Sequence, residues 1–343
     1  MEQINLKGLW IEELEGILDK LGEKKYKSKQ IAKWIYNKGV SDFEQMTDLS
    51  KELRRKLAEI AFIDKLKLIK KQTSRIDQTE KFLFELSDGK KIETVLMREK
   101  ERVTLCISTQ AGCALNCIFC ATGSMGFERN LSAGEIVDQI ICAKEYLKEN
   151  EKITNLVIMG MGEPLLNHEN TLKAIRMIRS ELGLSISAKR VTLSTAGIVP
   201  QIYKLADEGL RIKLALSLNA PDDKLRKKLM PITKKYPLSE VLEALKYYAE
   251  KTDTRITFEY VLIKDINDSK EQALELAKLV RGIPCKINLI PYNPVKNCPF
   301  EKPDEETLQK FRDILYPRAP AVTLRKSKGE DIQAACGQLK GNR

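Results

Sequence analysis

The sequence predicts an α/β protein built on a partial barrel of six β/α units. A small helical domain precedes the barrel, and a β-hairpin extension lies between the two. Three observations predict it. Strand-like runs alternate with helical stripes over 99–343, helical period alone fills 1–63, and over 64–98 the apolar period shortens to two.

The bulk numbers suit that architecture. The chain has 343 residues, room for one large domain of about 250 residues and a small one. With 43% hydrophobic and 31% charged residues it belongs with soluble globular proteins. Its longest apolar runs, such as 156–159, are far too short to cross a membrane, and Met1-Glu2-Gln3 opens no apolar signal core. A cytoplasmic protein with no membrane partner is expected, and a monomer. In that compartment eight cysteines read as metal-binding, catalytic or buried, and not as a disulfide framework. The net charge of +11, from 59 Lys+Arg against 48 Asp+Glu, fits a polyanionic partner such as nucleic acid, and equally the charged surface of a thermophile. His168 is the one histidine, so proton transfer falls mostly to carboxylates, lysines, tyrosines or thiols.

In the first segment Leu9, Ile11, Leu14, Ile17, Leu18 and Leu21 recur at helical spacing up to a stop at Gly22. Ile31, Trp34 and Ile35 form a second stripe ending near Gly39. Leu53, Leu57 and Ile60 form a third, set among Lys51, Arg54, Arg55 and Lys56. That basic face reads as solvated, with docking to nucleic acid as the lesser reading. In the middle segment, 81–86 and 91–96 flank Ser87-Asp88-Gly89, a hairpin with an Asp-Gly turn signal.

From residue 99 strands are expected at 102–108, 154–159, 190–195, 212–218, 255–262 and 286–290, with a possible seventh at 321–325. Between them lie helical stripes: Ile136, Ile140 and Leu147; Leu172, Ile175 and Leu182; Val241, Leu245 and Tyr248; Leu274, Ala277 and Val280; Leu308, Phe311 and Leu315. Such alternation implies a parallel sheet with right-handed crossovers, and too few strands appear for a closed eight-stranded barrel.

In β/α folds the site lies at the C-terminal ends of the strands. The unusual residues of this chain collect there: the run 113–120 after the first strand, 159–164 after the second, 194–197 after the third, 217–219 after the fourth and 291–294 after the sixth. Any one of these could simply end a strand, but together they share one rim. The first is the most informative. Cys113, Cys117 and Cys120 are spaced C-x3-C-x2-C, with no fourth cysteine or histidine nearby. A structural zinc closes with four Cys or His ligands, whereas an iron–sulfur cube held by three thiolates leaves one iron open for a small molecule.

This cysteine loop resembles that of the radical S-adenosylmethionine superfamily, in which the open iron binds the amino and carboxylate groups of the cofactor. Gly160-Met161-Gly162-Glu163 is similar to its glycine-rich cofactor segment. A narrower resemblance covers nearly the whole chain. Gln110-Ala111-Gly112-Cys113 through Ala121-Thr122-Gly123, the run MGMGEPLLN at 159–167, Ser194-Thr195-Ala196-Gly197 and the terminal Ala334-Ala335-Cys336-Gly337-Gln338-Leu339 are similar to the RlmN family. These are bacterial adenine-C2 methyltransferases acting on 23S ribosomal RNA, at the peptidyl transferase centre, and on transfer RNA, in the anticodon loop. The related Cfr-type enzymes methylate adenine C8; Ala111 and Pro164-Leu165-Leu166 resemble the C2 group.

The resemblance implies a [4Fe-4S] cluster on Cys113, Cys117 and Cys120, two S-adenosylmethionine molecules per turnover, and a one-electron reductant such as flavodoxin or ferredoxin. It also implies a two-stage mechanism, suited to a carbon without nucleophilic character. Cys336 carries the methyl group, and a 5′-deoxyadenosyl radical takes hydrogen from it. The carbon radical adds to C2, Glu93 accepts the C2 proton, and Cys106 attacks the Cys336 sulfur, forming a transient disulfide and freeing the base. Gly162, Glu163, Ser194, Ser217, Leu218, Asn219 and Asn293 match the cofactor-contacting positions.

The residues support parts of this independently. Thr104, Cys106 and Ser108 alternate with Val103, Leu105 and Ile107, which turns Cys106 to a polar, lumenal face. Cys336 lies among small residues near the chain end, where segments are mobile. Taken alone, Glu93 is only a polar residue on an alternating strand. Cys142, Cys285 and Cys298 are expected to pack, and His168 to sit at a helix start. The run 224–235, with Arg226, Lys227, Lys228 and Lys234, reads as a solvated face that could also meet RNA phosphates. The rival readings are C8 methylation by the same apparatus and a non-catalytic RNA-binding protein with a structural zinc.

Overall fold

The computed structural model describes residues 3–296 and 298–341. Its centre is a ten-stranded sheet in which every strand pairs with its neighbour in the chain. The strands are β1 (Lys67–Thr73), β2 (Glu80–Glu85), β3 (Lys91–Glu99), β4 (Arg102–Cys106), β5 (Asn155–Ile158), β6 (Val191–Thr195), β7 (Lys213–Ser217), β8 (Ile256–Leu262), β9 (Cys285–Pro291) and β10 (Val322–Leu324). The pairings from β4 to β10 are all parallel, and those from β1 to β4 all antiparallel. Six β/α units and a closing strand thus make the partial barrel. The seventh strand is real but short, at Val322–Leu324.

The hairpin is not a separate appendage. β3 pairs with β4 from Val95↔Cys106 to Glu99↔Arg102, so the barrel sheet continues into it. It also gains a third strand, β1, which is the exposed edge and therefore carries little apolar pattern of its own (KLIKKQT). Lysines on such an edge discourage pairing with other chains.

The crossover helices are Ala133–Lys144, His168–Arg179, Val199–Asp207, Leu238–Thr252, Lys270–Leu279 and Glu305–Leu315. Their starts follow from capping chemistry. Ser132, Ser269 and Asp304 accept from backbone amides three residues on, and Ser132 with Glu135 completes a capping box. Ile136, Ile140, Ile175, Leu245, Leu276 and Phe311 are fully or almost fully buried under the sheet. Leu147 and Leu182, read as parts of these stripes, fall in turns beyond the helix ends at Lys144 and Arg179. Leu274 is half-buried, because Leu276 holds the core position.

The N-terminal helices are Ile11–Lys20, Lys27–Ala32 (running into a π turn at Lys33–Asn37) and Lys51–Ile60. A two-residue parallel pairing of Ile4–Asn5 with Ala61–Phe62 ties off the unit. It is fastened to the first crossover helix by a buried ion pair, Lys7 Nζ to Asp138 Oδ1 at 2.6 Å. The backbones meet closely there: a Cβ on Gly134 would stand 2.4 Å from the Lys7 carbonyl oxygen. No described helix is long and apolar enough to cross a membrane.

Candidate active site

A cavity of about 210 Å³ opens at the C-terminal ends of the parallel strands, the rim on which the unusual residues were expected. The cysteine loop forms part of its wall. Gln110–Gly112 pairs with Phe127–Asn130, and the Cys113 amide donates to the Gly126 carbonyl at 2.9 Å. Only glycine serves at 112, where φ is +76° and a Cβ would stand 1.9 Å from that same carbonyl oxygen. The Cys120 amide donates to Cys117 O at 3.1 Å, closing a turn, so all three cysteines line the cavity.

Burial pushes the Cys113 thiol up to about 12 and raises Cys117 and Cys120 as well, each further lifted by neighbouring thiols. Such thiols give up their protons to a cationic centre. Among the described residues, no three His, Cys, Asp or Glu side chains converge as they would around a single ion. A structural zinc site needs four such ligands together. Three thiols spaced around one cavity fit a cluster with one thiolate per iron.

Beside the loop runs the glycine segment after β5. A Cβ on Gly160 would meet Ser108 Oγ at 2.6 Å, and one on Gly162 (φ +100°) would meet Gln110 Cβ at 2.5 Å. The glycines let this segment lie against the end of β4 and expose backbone to the cavity. Glu163 is buried, and burial lifts its carboxyl to about 7 against the pull of backbone donors. Those donors are Ala196 N at 2.8 Å and Leu165 N at 3.1 Å, so Glu163 ties the second strand end to the third while lining the cavity.

Ser194 and Ser217 stand with their hydroxyl oxygens 3.5 Å apart on neighbouring strands. Asn219 has φ +59°, and its Oδ1 accepts from Val261 N at 2.9 Å. Asn293 donates to the Cys336 carbonyl at 3.1 Å and accepts from Ser327 Oγ at 2.6 Å. All four line the cavity, but Leu218 does not. Its side chain is fully buried, its amide donates to Glu259 O, and its carbonyl accepts from Arg226. The Leu218 side chain thus packs in the core and not on the cavity wall.

Cys106, at the end of β4, and Cys336, on the C-terminal tail, line the same cavity as the cysteine loop. Cys336 is exposed; Cys106 is buried, and burial lifts its thiol to about 12, with Cys336 nearby adding to the rise. The tail is sewn down on both sides of Cys336. Ala121 N donates to Gly337 O at 2.7 Å, Thr122 Oγ1 to Leu339 O at 2.6 Å, and Gly329 N to Asp77 Oδ2 at 3.0 Å.

Glu93 stands apart from this lining. It is almost fully buried, with Oε1 paired to Lys81 Nζ at 3.0 Å. Its Oε2 accepts from the tail amides of Lys340 at 2.8 Å and Gly341 at 3.3 Å. A buried carboxylate gathers whatever donors lie nearest, and here the tail supplies them.

Arg226 is a correction. Read with its neighbours as a possible phosphate contact, it is fully buried. It donates to the carbonyls of Ala196 at 2.7 Å, Leu218 at 3.0 Å and Ser217 at 3.0 Å, and to Thr233 Oγ1 at 3.0 Å. Burial lowers it to about 10. It fastens the ends of β6 and β7 together. Its spacing of three and seven residues from the buried Leu229 and Thr233 was the available signal. Arg226→Ala should lower stability by about 3–5 kcal/mol, because it strips several buried acceptors at once. Denaturant unfolding of the cluster-free protein measures it.

The sequence also gave no role to Arg325 and Glu259, which line the cavity 3.8 Å apart. Arg325 is held above its ordinary value mainly by Cys336, with Glu259 and Cys106 adding to it.

Comparison with known proteins gives the family. Residues 107–277 match a family model described as the Radical SAM superfamily. Residues 4–63 match one described as the ribosomal RNA large subunit methyltransferase N-terminal domain. A protein of Thermoanaerobacter sp. (strain X514) named "Probable dual-specificity RNA methyltransferase RlmN" is 47% identical over 336 residues, 98% of this chain and 97% of its own. One of the same name from Dictyoglomus thermophilum is 49% identical over 337 residues, 98% of this chain and 96% of its own. The chain belongs to the RlmN family. A crystal structure of a radical SAM methyltransferase from Sphaerobacter thermophilus, 44% identical, superposes with a TM-score of 0.94 over 99% of this chain and 100% of that one. As an RlmN-family member the protein is a radical S-adenosylmethionine methyltransferase, with a [4Fe-4S] cluster and S-adenosylmethionine as its cofactors. That sets aside the reading as a non-catalytic zinc protein.

Proposed function

We propose that the protein methylates adenine C2 in 23S ribosomal RNA, at the peptidyl transferase centre, and in transfer RNA, in the anticodon loop. The methyl group travels through Cys336. One observation carries this reading: Cys106 and Cys336 line one cavity with Cys113, Cys117 and Cys120. A site with two further thiols beside three cluster ligands suits a methyl carrier and a resolving thiol. We divide the chain accordingly into a helical accessory domain at 1–63, a hairpin extension at 64–98 and the catalytic barrel at 99–343. It works in the cytoplasm, as a monomer, with a one-electron reductant such as flavodoxin or ferredoxin.

Cys113, Cys117 and Cys120 would hold the cluster, one thiolate to an iron, with the fourth iron open to S-adenosylmethionine. Bound there, the cofactors supply an electrophilic methyl group in one stage and a hydrogen-abstracting carbon radical in the other. Gly162 presents backbone to the methionine end, Glu163 braces that segment, and Leu218, buried behind the wall, holds the end of β7 to Arg226. The hydroxyls of Ser194 and Ser217 and the amides of Asn219 and Asn293 suit ribose and adenine edges. Val95, Met97, Leu115 and Phe119 contribute apolar walls that keep water from a radical.

Cys336 acts as a thiolate nucleophile toward the methyl group, with the Arg325 guanidinium countering its charge. Once the base is joined to that carbon, Glu93 takes the C2 proton. This requires the amides of Lys340 and Gly341 to leave its Oε2, while Lys81 remains its counter-ion. With the odd electron of the addition returned to the one-electron couple the cofactors supply, Cys106 attacks the Cys336 sulfur as a thiolate. A sulfur–sulfur bond forms, the sulfur–carbon bond breaks with its electron pair left on the methylene carbon, and that carbon takes up a proton to become the methyl group. That disulfide must be reduced to two thiols before the next methyl is loaded. A base reaches a cavity at the strand ends only once it is unstacked, so a single-stranded or flipped adenosine is the substrate form.

The test is to incubate reconstituted enzyme with each RNA separately, digest it and identify the modified nucleoside by mass spectrometry. 2-Methyladenosine is expected from both; 8-methyladenosine as the sole product overturns the assignment.

A further inference from the structure

We propose that the outer face of the cysteine loop, together with the helix Asp223–Leu229 packed on it, is the docking surface for an acidic one-electron carrier protein. The inference rests on the reading that this loop holds the cluster. An electron donor must come close to the cluster without occupying the cavity, which S-adenosylmethionine, the tail and the base require.

Ile118 is an exposed apolar side chain on the outside of the loop. This residue lies between two of the expected iron ligands, and while Cys117 and Cys120 face the cavity, Ile118 is absent from its lining and 48% exposed to solvent. Its amide donates to Leu229 O at 3.1 Å, which joins the loop to the helix. Its carbonyl accepts from Cys298 Sγ at 3.4 Å, so the loop after β9 closes the other side. Phe127, also 48% exposed, follows Gly126, whose carbonyl holds the Cys113 amide. Exposed apolar side chains thus stand within the ligand loop, at Ile118, and just beyond it, at Phe127.

The helix supplies the charge. It is split by face: Arg226 and Leu229 are buried, and Lys224, Lys227 and Lys228 are exposed. None of these three lysines makes an ion pair among the described residues. The nearby acids are turned to the backbone, Asp222 capping Leu225 N at 2.9 Å and Asp223 accepting from Leu238 N at 2.8 Å. The result is a face on which three exposed lysines outnumber the two aspartates at the helix start, net cationic and set against the wall of the cluster loop.

The same lysines could be read as an RNA site, but the cavity lining argues against it. Lys326 and Lys328 line the cavity beside the Cys336 tail, where a base must enter, whereas Lys224, Lys227 and Lys228 do not. Electron-transfer encounters are small, transient and steered by opposite charge, which suits an apolar spot beside a basic helix. In the step itself one electron passes from the reduced carrier to the cluster, and the carrier leaves oxidised by one electron. No bond or proton moves.

The experiment uses reconstituted holoenzyme carrying Lys224→Glu, Lys227→Glu and Lys228→Glu together, with reduced flavodoxin as the probe. Iron content and visible absorbance first establish the cluster; without it the underlying reading of the loop fails, not only the docking. Flavodoxin-driven cluster reduction, followed by stopped flow at low salt, should slow by about tenfold or more, and flavodoxin binding should weaken in parallel. Reduction by dithionite, dithionite-driven methylation and RNA affinity should stay at wild-type levels. Reversing Lys51, Arg55 and Lys56 on the N-terminal unit should leave flavodoxin binding as it was. Unchanged flavodoxin binding and reduction in the first variant overturns the proposal. So does a loss of RNA affinity with dithionite-driven methylation, which gives that face to RNA.

Discussion

Cys336→Ala abolishes methyl transfer to both RNAs, by about a thousandfold or more, while the protein keeps its fold and its cluster. The size of the effect follows from covalent catalysis, in which the carrier thiol has no substitute. Adenine C2 cannot take a methyl from a sulfonium directly, so removing the carrier leaves no slower route through the same site. The fold should survive, because the Cys336 side chain is exposed and its neighbours are held through backbone atoms. Unfolding free energy should lie within about 0.5 kcal/mol of wild type. Two measurements check the prediction: the nucleoside product by mass spectrometry, and the methyl adduct on the intact protein, present in wild type and absent in the variant. A variant that still methylates RNA ends the carrier assignment.

The barrel strands were legible because parallel strands buried on both faces read as near-continuous apolar runs. The expected 190–195 and 255–262 became Val191–Thr195 and Ile256–Leu262. Lys67–Thr73 could not be placed in the same way, since an exposed edge strand carries no such run. The pairing of Ile4–Asn5 with Ala61–Phe62 is too short to leave a pattern.

The site divides along similar lines. The placing of Cys113, Cys117 and Cys120 on one rim was legible from their spacing, and the cavity-facing turn of Cys106 from strand alternation. Glu93 came through resemblance alone, and Cys336 through resemblance with only its small neighbours and its place near the chain end in support, because no local period marks either. Arg226 was misread because composition reports a charge but not the direction in which it points. The sequestration of Glu93 depends on tail amides from the far end of the chain, a tertiary contact that no window of sequence contains.

Cys106→Ala should stall the enzyme within its first turnover, with RNA covalently attached to the protein. The two thiols act at different stages, so their losses should look different. Cys336 is needed before any bond to RNA exists, whereas Cys106 is needed only to break one. Cys106 sits at the end of β4, buried, with its thiol lifted to about 12. It must shed a proton to attack, and Arg325 is the cation within electrostatic reach of both thiols. Alanine is small enough to replace it with little loss of packing, so the variant should fold and load its methyl group normally. Its product should run on a denaturing gel as a slow band that both nuclease and protease collapse, with little free methylated base. The double variant Cys106→Ala with Cys336→Ala should form no such band, because the carbon that bridges protein to RNA is never loaded. Normal turnover by Cys106→Ala would remove it from the resolving role. An adduct in the double variant would mean that another residue carries the methyl.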